Sequence, residues 1–139
     1  MHSVKNVAMD KLFLEATVQT PYIDFDSKTG LMQIKGRAIP DNPDNFWLPI
    51  LNWFESYLLA PSEKTVFQID LDYFNISSSK RILVLLYKLN DLSENGHNVS
   101  VEWCYNRSDE DMFEVGQDLA YMVRVPFEFV ETEEVLALA

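Results

Sequence analysis

The sequence predicts an α/β domain of two layers, a mixed sheet of five strands with helices on one face. Three observations lead there. Segments that alternate apolar and polar residues give way in turn to segments with apolar residues at helical spacing. They follow one another in the order ββαβαβαβ. Within each strand one set of alternate positions is apolar and the other polar. A sheet covered by helices on both sides would read instead as continuous apolar runs.

The elements follow in order. After a lead-in to about Gln19, "PYIDFD" alternates, "SKTG" supplies a turn with Gly30 at its end, and "LMQIKGRAI" alternates again, which makes a β-hairpin. "PDNPDN" breaks the chain and offers Asp44 or Asn45 as a helix cap. From Phe46 to Leu58, apolar residues recur at helical spacing, with Pro49 expected in or just past the first turn, where proline costs little. "TVFQIDLDYF" alternates as a strand, and "SSSKRILVLLYKLNDLSENG" carries Ile82, Leu85, Leu86, Leu89 and Leu92 on one stripe, ended by Gly96. "NVSVEWCY" is the next strand. "SDEDMFEVGQDLAYMV" opens as a helix with acids where its dipole favours them, "PFEFV" is a short last strand, and "ETEEVLALA" a fraying tail. The three strand–helix–strand segments are expected to cross over right-handedly.

The alternation sorts residues onto two faces. Ile23, Phe25, Met32, Ile34, Phe67, Ile69, Leu71, Tyr73, Val99, Val101, Trp103, Phe127 and Phe129 fall on the face under the helices. Asp24, Asp26, Gln33, Lys35, Gln68, Asp70, Asp72, Ser100, Glu102 and Glu128 fall on the other, which is left wet or free for contact.

Composition narrows the function. At 139 residues, 47% of them hydrophobic, the chain is one domain's worth and able to bury a core. A net charge of −11 repels phosphate backbones and anionic lipid, so neither nucleic acid nor bare membrane is an expected partner. The single cysteine, Cys104, allows no intramolecular disulfide and no Cys-rich zinc site, and its apolar setting marks it as a buried, inert thiol. Lys5, Asp10 and Lys11 interrupt the start before a secretory apolar core forms. No run approaches the ~20 apolar residues of a membrane span. The expected address is the cytoplasm.

Catalytic patterns are thin. His97 sits in a turn and His2 near the beginning, neither near a convincing Ser or Cys partner. Asp70 with Asp72, and Asp109 to Asp111, are paired acids that would serve a small acidic metal-dependent hydrolase, but a solvated strand face and a favourably charged helix start are much the better account of them. Four glycines, none at phosphate-loop or dinucleotide spacing, give no cofactor cradle, and no cofactor is expected. The aromatics sit at core spacing without interleaved Arg or Lys, unlike a base-stacking platform.

The most conspicuous stretch is Asn75, Ile76, Ser77, Ser78 and Ser79 at a strand–helix junction. One serine there would cap the helix, worth about 1 kcal/mol. One cap needs one hydroxyl, and two remain. "YFNISSSKRIL", together with "TPYIDFDSKTGLMQIKGRAIPDNPDNFWLPILNWFESYL" and "VEWCYNRSDEDMFEVGQDLA…VPFEFV", resembles the SiaC family of bacterial regulatory phosphoproteins over residues 20–131, with the motifs in the same order. The resemblance implies a single, STAS-like domain, akin to anti-sigma-factor antagonists, and a binding switch in place of an enzyme. A dedicated Ser/Thr kinase would phosphorylate it, a PP2C-type phosphatase would reverse this, and the unphosphorylated form would bind and activate a diguanylate cyclase or another effector. The family's acceptor is typically a threonine directly after the asparagine. Ile76 stands there in this chain. Either Ser77, one residue on, takes the phosphate, or this copy is a constitutive, unphosphorylated binding module.

Overall fold

The computed structural model describes residues 11–133; the first part of the lead-in, with His2, and all but the start of the expected tail lie outside them. Among these residues six strands and three helices follow one another as β1 (Lys11–Leu14), β2 (Tyr22–Asp26), β3 (Leu31–Ala38), α1 (Pro43–Leu59), β4 (Lys64–Phe74), α2 (Ile76–Glu94), β5 (Asn98–Asn106), α3 (Glu110–Met122) and β6 (Phe127–Thr132). The strands lie in the sheet in chain order. β1, β2 and β3 pair antiparallel, and β3 to β6 pair parallel.

The expected five strands are therefore six. The addition is β1, in the stretch read as lead-in. Leu12 and Leu14 pair with Phe25 and Ile23 of β2 and pack against the core, while the Phe13 ring meets Tyr22 edge-on at 5.5 Å. Four residues give only two apolar–polar cycles, too few for periodicity to register.

The helices cover one face, as the alternation requires. The Phe25 ring lies 5.5 Å from Trp53 and 6.5 Å from Phe54 on α1, and Phe67 of β4 lies 6.3 Å from Phe54. On β5, Trp103 Nε1 donates to the Met112 carbonyl of α3 at 3.0 Å. Trp47, Trp103, Tyr57, Phe25, Phe54 and Phe67 are the largest side chains wholly removed from solvent. Burying one such aromatic stabilises by about 1.5–3 kcal/mol. On the uncovered face the register aligns Gln33, Gln68 and Glu102. Gln33 Nε2 donates to Gln68 Oε1 at 2.8 Å, and Gln68 Nε2 to Glu102 Oε1 at 2.9 Å. These bonds tie three parallel strands together from their polar side.

Two local expectations change. α1 begins at Pro43, with Asn42 as its cap accepting from the Asn45 N–H at 3.2 Å, so neither Asp44 nor Asn45 caps it. Pro43 takes the favourable first position, and Pro49 lies in the second turn, inside the helix. A proline there costs about 3 kcal/mol, against which α1 buries Trp47, Ile50, Trp53, Phe54 and Tyr57. Tyr73 is the second correction. Gly36 pairs with Leu71 but Arg37 with Tyr73, so Asp72 is an extra residue that breaks the alternation. Tyr73 turns outward, 53% exposed, under the Arg37 guanidinium 6.0 Å from its ring. Phe74 goes inward in its place, 6.2 Å from Trp103.

Candidate functional site

Each of β3, β4 and β5 hands the chain to a helix at its carboxyl end. The parallel arrangement gathers the starts of α1, α2 and α3 at one end of the sheet. The centre of the three is α2, where Asn75 N–H donates to the Ala38 carbonyl at 3.2 Å and anchors the junction to β3.

Asn75, and none of the serines, is the cap. Its Oδ1 accepts from the Ser78 N–H at 2.9 Å, and its carbonyl accepts from the Ser79 N–H at 2.9 Å. The helix thus starts at Ile76, ahead of the serine run. Asn caps as well as Ser, and being first in the junction it takes the position. The serines then divide the remaining work. Ser77 Oγ donates to Asn75 Oδ1 at 3.1 Å and steadies the cap. Ser78 is fully buried, and its Oγ accepts from Trp47 Nε1 at 3.3 Å, joining α2 to α1. Ser79 Oγ donates back to the Ile76 carbonyl at 2.7 Å. Ser77 and Ser79 remain partly open to solvent. Ile76 projects outward, 76% exposed.

Arg81, which the sequence did not single out, completes the junction. Its Nη1 donates to the Ser77 carbonyl at 3.2 Å, and its Nη2 pairs with the Asp44 carboxylate in the first turn of α1.

The paired acids take other roles. Asp109 Oδ1 caps α3 by accepting from the Met112 N–H at 3.0 Å. Asp72, Asp109 and Asp111 rim a hollow of about 280 Å³ beside Tyr73, Phe74, Met112 and Val115. Asp70 lies on the uncovered face, where burial, helped by the nearby Asp72 charge and opposed by Lys35, raises its pKa. Among the described residues no group of three or more His, Cys, Asp or Glu is placed to hold a metal ion. Cys104 is buried, and burial, with the Asp70 and Glu102 charges, pushes its thiol up to about 11. No helix among the described residues is long and apolar enough to cross a membrane.

The fold is a two-layer α/β domain, a mixed sheet in chain order with helices on one face and a capped serine run at the start of the central helix. The crystal structure of diguanylate cyclase SiaD in complex with its activator SiaC from Pseudomonas aeruginosa contains a chain that superposes with a TM-score of 0.83 at 26% identity, over 87% of this chain and 99% of that one. The crystal structure of apo-SiaC from the same organism gives 0.82 at 25% identity, over 88% and 99%. An uncharacterized protein of P. aeruginosa strain UCBPP-PA14 is 27% identical over 119 residues, 86% of this chain and 94% of that protein. The model of the SiaC family of regulatory phosphoproteins matches residues 14–132, and the chain belongs to that family.

Proposed function

We propose that this chain is a non-enzymatic partner-switching regulator of the cytoplasm that binds and activates an effector such as a diguanylate cyclase, and that phosphorylation of Ser77 switches it off. The effector comes from the likeness to SiaC, described in complex with the cyclase SiaD as its activator. A Ser/Thr kinase would transfer a phosphoryl group to Ser77 Oγ, displacing the hydroxyl proton, and a PP2C-type phosphatase would return the hydroxyl by hydrolysis.

The placement of Ile76 and Ser77 carries the reading. They are adjacent at the first two positions of α2, one a projecting apolar side chain and the other a hydroxyl within reach of solvent. An effector that covers Ile76 also covers Ser77. Ser78, wholly buried and bonded to Trp47, offers no access to a kinase. A phosphate at Ser77 carries about −1.5 to −2 charges, and desolvating such a group at an interface costs several kcal/mol. Each 1.4 kcal/mol is about tenfold in affinity, so eviction needs no change of fold. Ile76 at the family's threonine position favours a second reading, a constitutive binding module.

The test pairs the chain with a Ser/Thr kinase and a diguanylate cyclase of its own organism. The expected result is one added phosphate by intact mass on the wild type and none on Ser77→Ala. Effector affinity should fall at least ~10-fold on phosphorylation. Ser77→Asp should weaken binding less, because Asp carries one charge and fewer acceptor oxygens. Should only Ile76→Thr accept phosphate, the constitutive reading replaces the switch. If Ser77→Asp and Ser77→Ala bind the effector alike, phosphorylation there governs nothing.

A further inference from the structure

Arg81 lies one helical turn beyond Ser77, and its side chain folds back over the start of α2. One arm of the guanidinium reaches the Ser77 carbonyl at 3.2 Å, and the other holds Asp44. The two ends of that ion pair differ. The Arg81 side chain is 25% exposed and the Asp44 side chain 83% exposed. The guanidinium walls a hollow of about 270 Å³ between α1 and α2, which Asp44, Trp47, Leu48 and Leu51 also line. A cation is thus held at the hydroxyl-bearing residue by a partner that water competes for. An ion pair with one end so exposed contributes little.

A phosphomonoester on Ser77 changes that competition. It offers three strong acceptor oxygens and nearly twice the charge of a carboxylate. It also matches the planar fork of arginine, which takes two oxygens at once. Long helical side chains lean toward the helix N-terminus, so Arg81 meets a group at Ser77 without leaving its present course. Forming the ester removes the hydroxyl proton that Ser77 now donates to Asn75 Oδ1. Asn75 keeps its bond from the Ser78 N–H, so the helix cap survives.

We propose that Arg81 is the receptor for a phosphate on Ser77, exchanging Asp44 for the phosphate and so releasing the first turn of α1 from α2. The inference rests on the reading of Ser77 as the acceptor. Its consequence is that the modification is felt on two elements. Charge appears at α2, while Asp44 and the exposed Leu48 lose the tie that fixes them beside the hollow. The surface a partner meets then changes on both helices.

The experiment installs phosphoserine at position 77 of the full chain by genetic encoding, with no kinase, and follows the phosphate by ³¹P NMR across pH. An ordinary phosphoserine has its second pKa near ~6. Pairing with Arg81 should lower it by about half a pH unit or more. Arg81→Met should return it close to ~6, and Arg81→Lys, which keeps the charge but loses the fork, should fall between. Lys80, the exposed neighbouring cation, is the control, and Lys80→Met should leave most of the depression in place. Backbone amide signals from Asp44 to Leu48 should move on phosphorylation with Arg81 present and stay still in Arg81→Met. Equal phosphate pKa values with and without the Arg81→Met substitution, or a loss confined to Lys80→Met, would overturn the proposal. Because the phosphate is built in, a chain that no kinase modifies would refute the proposed switch and leave this result standing.

Discussion

Gly116 offers the sharpest test of how α3 sits on the sheet. A Cβ added there would lie 2.4 Å from Cδ1 and 2.4 Å from Nε1 of Trp103, and 2.8 Å from Cε2. Carbon atoms pack best at about 3.5–4.0 Å, so the methyl group lacks roughly 1 Å of room. The indole cannot yield easily, being fully buried, bonded to the Met112 carbonyl and packed edge-on against Phe74. Gly116→Ala should therefore lift α3 or tilt the ring. Overpacking of this kind costs about 1–3 kcal/mol, and a weakened Trp103 hydrogen bond adds about 1. Against this, alanine favours a helix over glycine by about 1 kcal/mol. The net loss should be about 1–3 kcal/mol, a fall of about 1 M in the urea midpoint at a typical slope. Urea unfolding followed by far-ultraviolet circular dichroism measures it. Repeating the substitution in a Trp103→Phe background isolates the contact, because the smaller ring leaves space and the alanine should then be neutral or stabilising. A coupling of about 1–3 kcal/mol is expected between the two sites. If Gly116→Ala is as stable as the wild type, or costs the same in both backgrounds, the α3–Trp103 packing described above is wrong.

Asn75→Ala should cost about 1–2 kcal/mol in thermal or chemical denaturation, since it removes the α2 cap, whereas Ser77→Ala should cost under about 1; equal losses would put the cap elsewhere. Asp70 binds its proton more tightly folded than unfolded, so stability falls as pH rises from its ordinary 3.8 through the raised folded-state value. Asp70→Asn should gain on the wild type across that window and hold the gain to neutral pH, and a difference that does not vary with pH would contradict the assigned shift. Cys104, buried and with its thiol pushed up to about 11, should react with a disulfide reagent only at the rate of opening or unfolding; prompt labelling of the native protein would show an accessible thiolate.

The layered architecture was legible because every main strand alternates and every helix carries an apolar stripe, and both signals are local. Trp103 facing the helices, with Cys104 behind it, follows from that alternation alone. β1 was not legible, since its four residues are recruited by pairing with β2. The bulge at Asp72 was hidden because "LDYF" sets two aromatics side by side, and nothing local says which one turns inward. At the candidate site the sequence singled out Asn75 to Ser79 but not how they divide the local bonding. The serines drew attention as caps, while Asn75, the residue before the run's first apolar side chain, does the capping. Ser78 is committed to Trp47, 31 positions away, and Arg81 to Asp44, 37 positions away. Such pairings exist only once α1 and α2 lie side by side.

The chain-order sheet has a consequence for how the molecule is made. Each strand, on leaving the ribosome, meets as its neighbour the strand synthesised just before it, so the sheet extends in one direction from the β1–β2 pair without any segment having to wait for a distant partner. The Asn75 junction takes its final form only after β3 supplies the Ala38 carbonyl and α1 supplies Trp47. Both are already synthesised when residue 75 emerges. A nascent chain can therefore complete the junction before β5 and β6 have joined the sheet, while the finished sheet fixes how α3 flanks it.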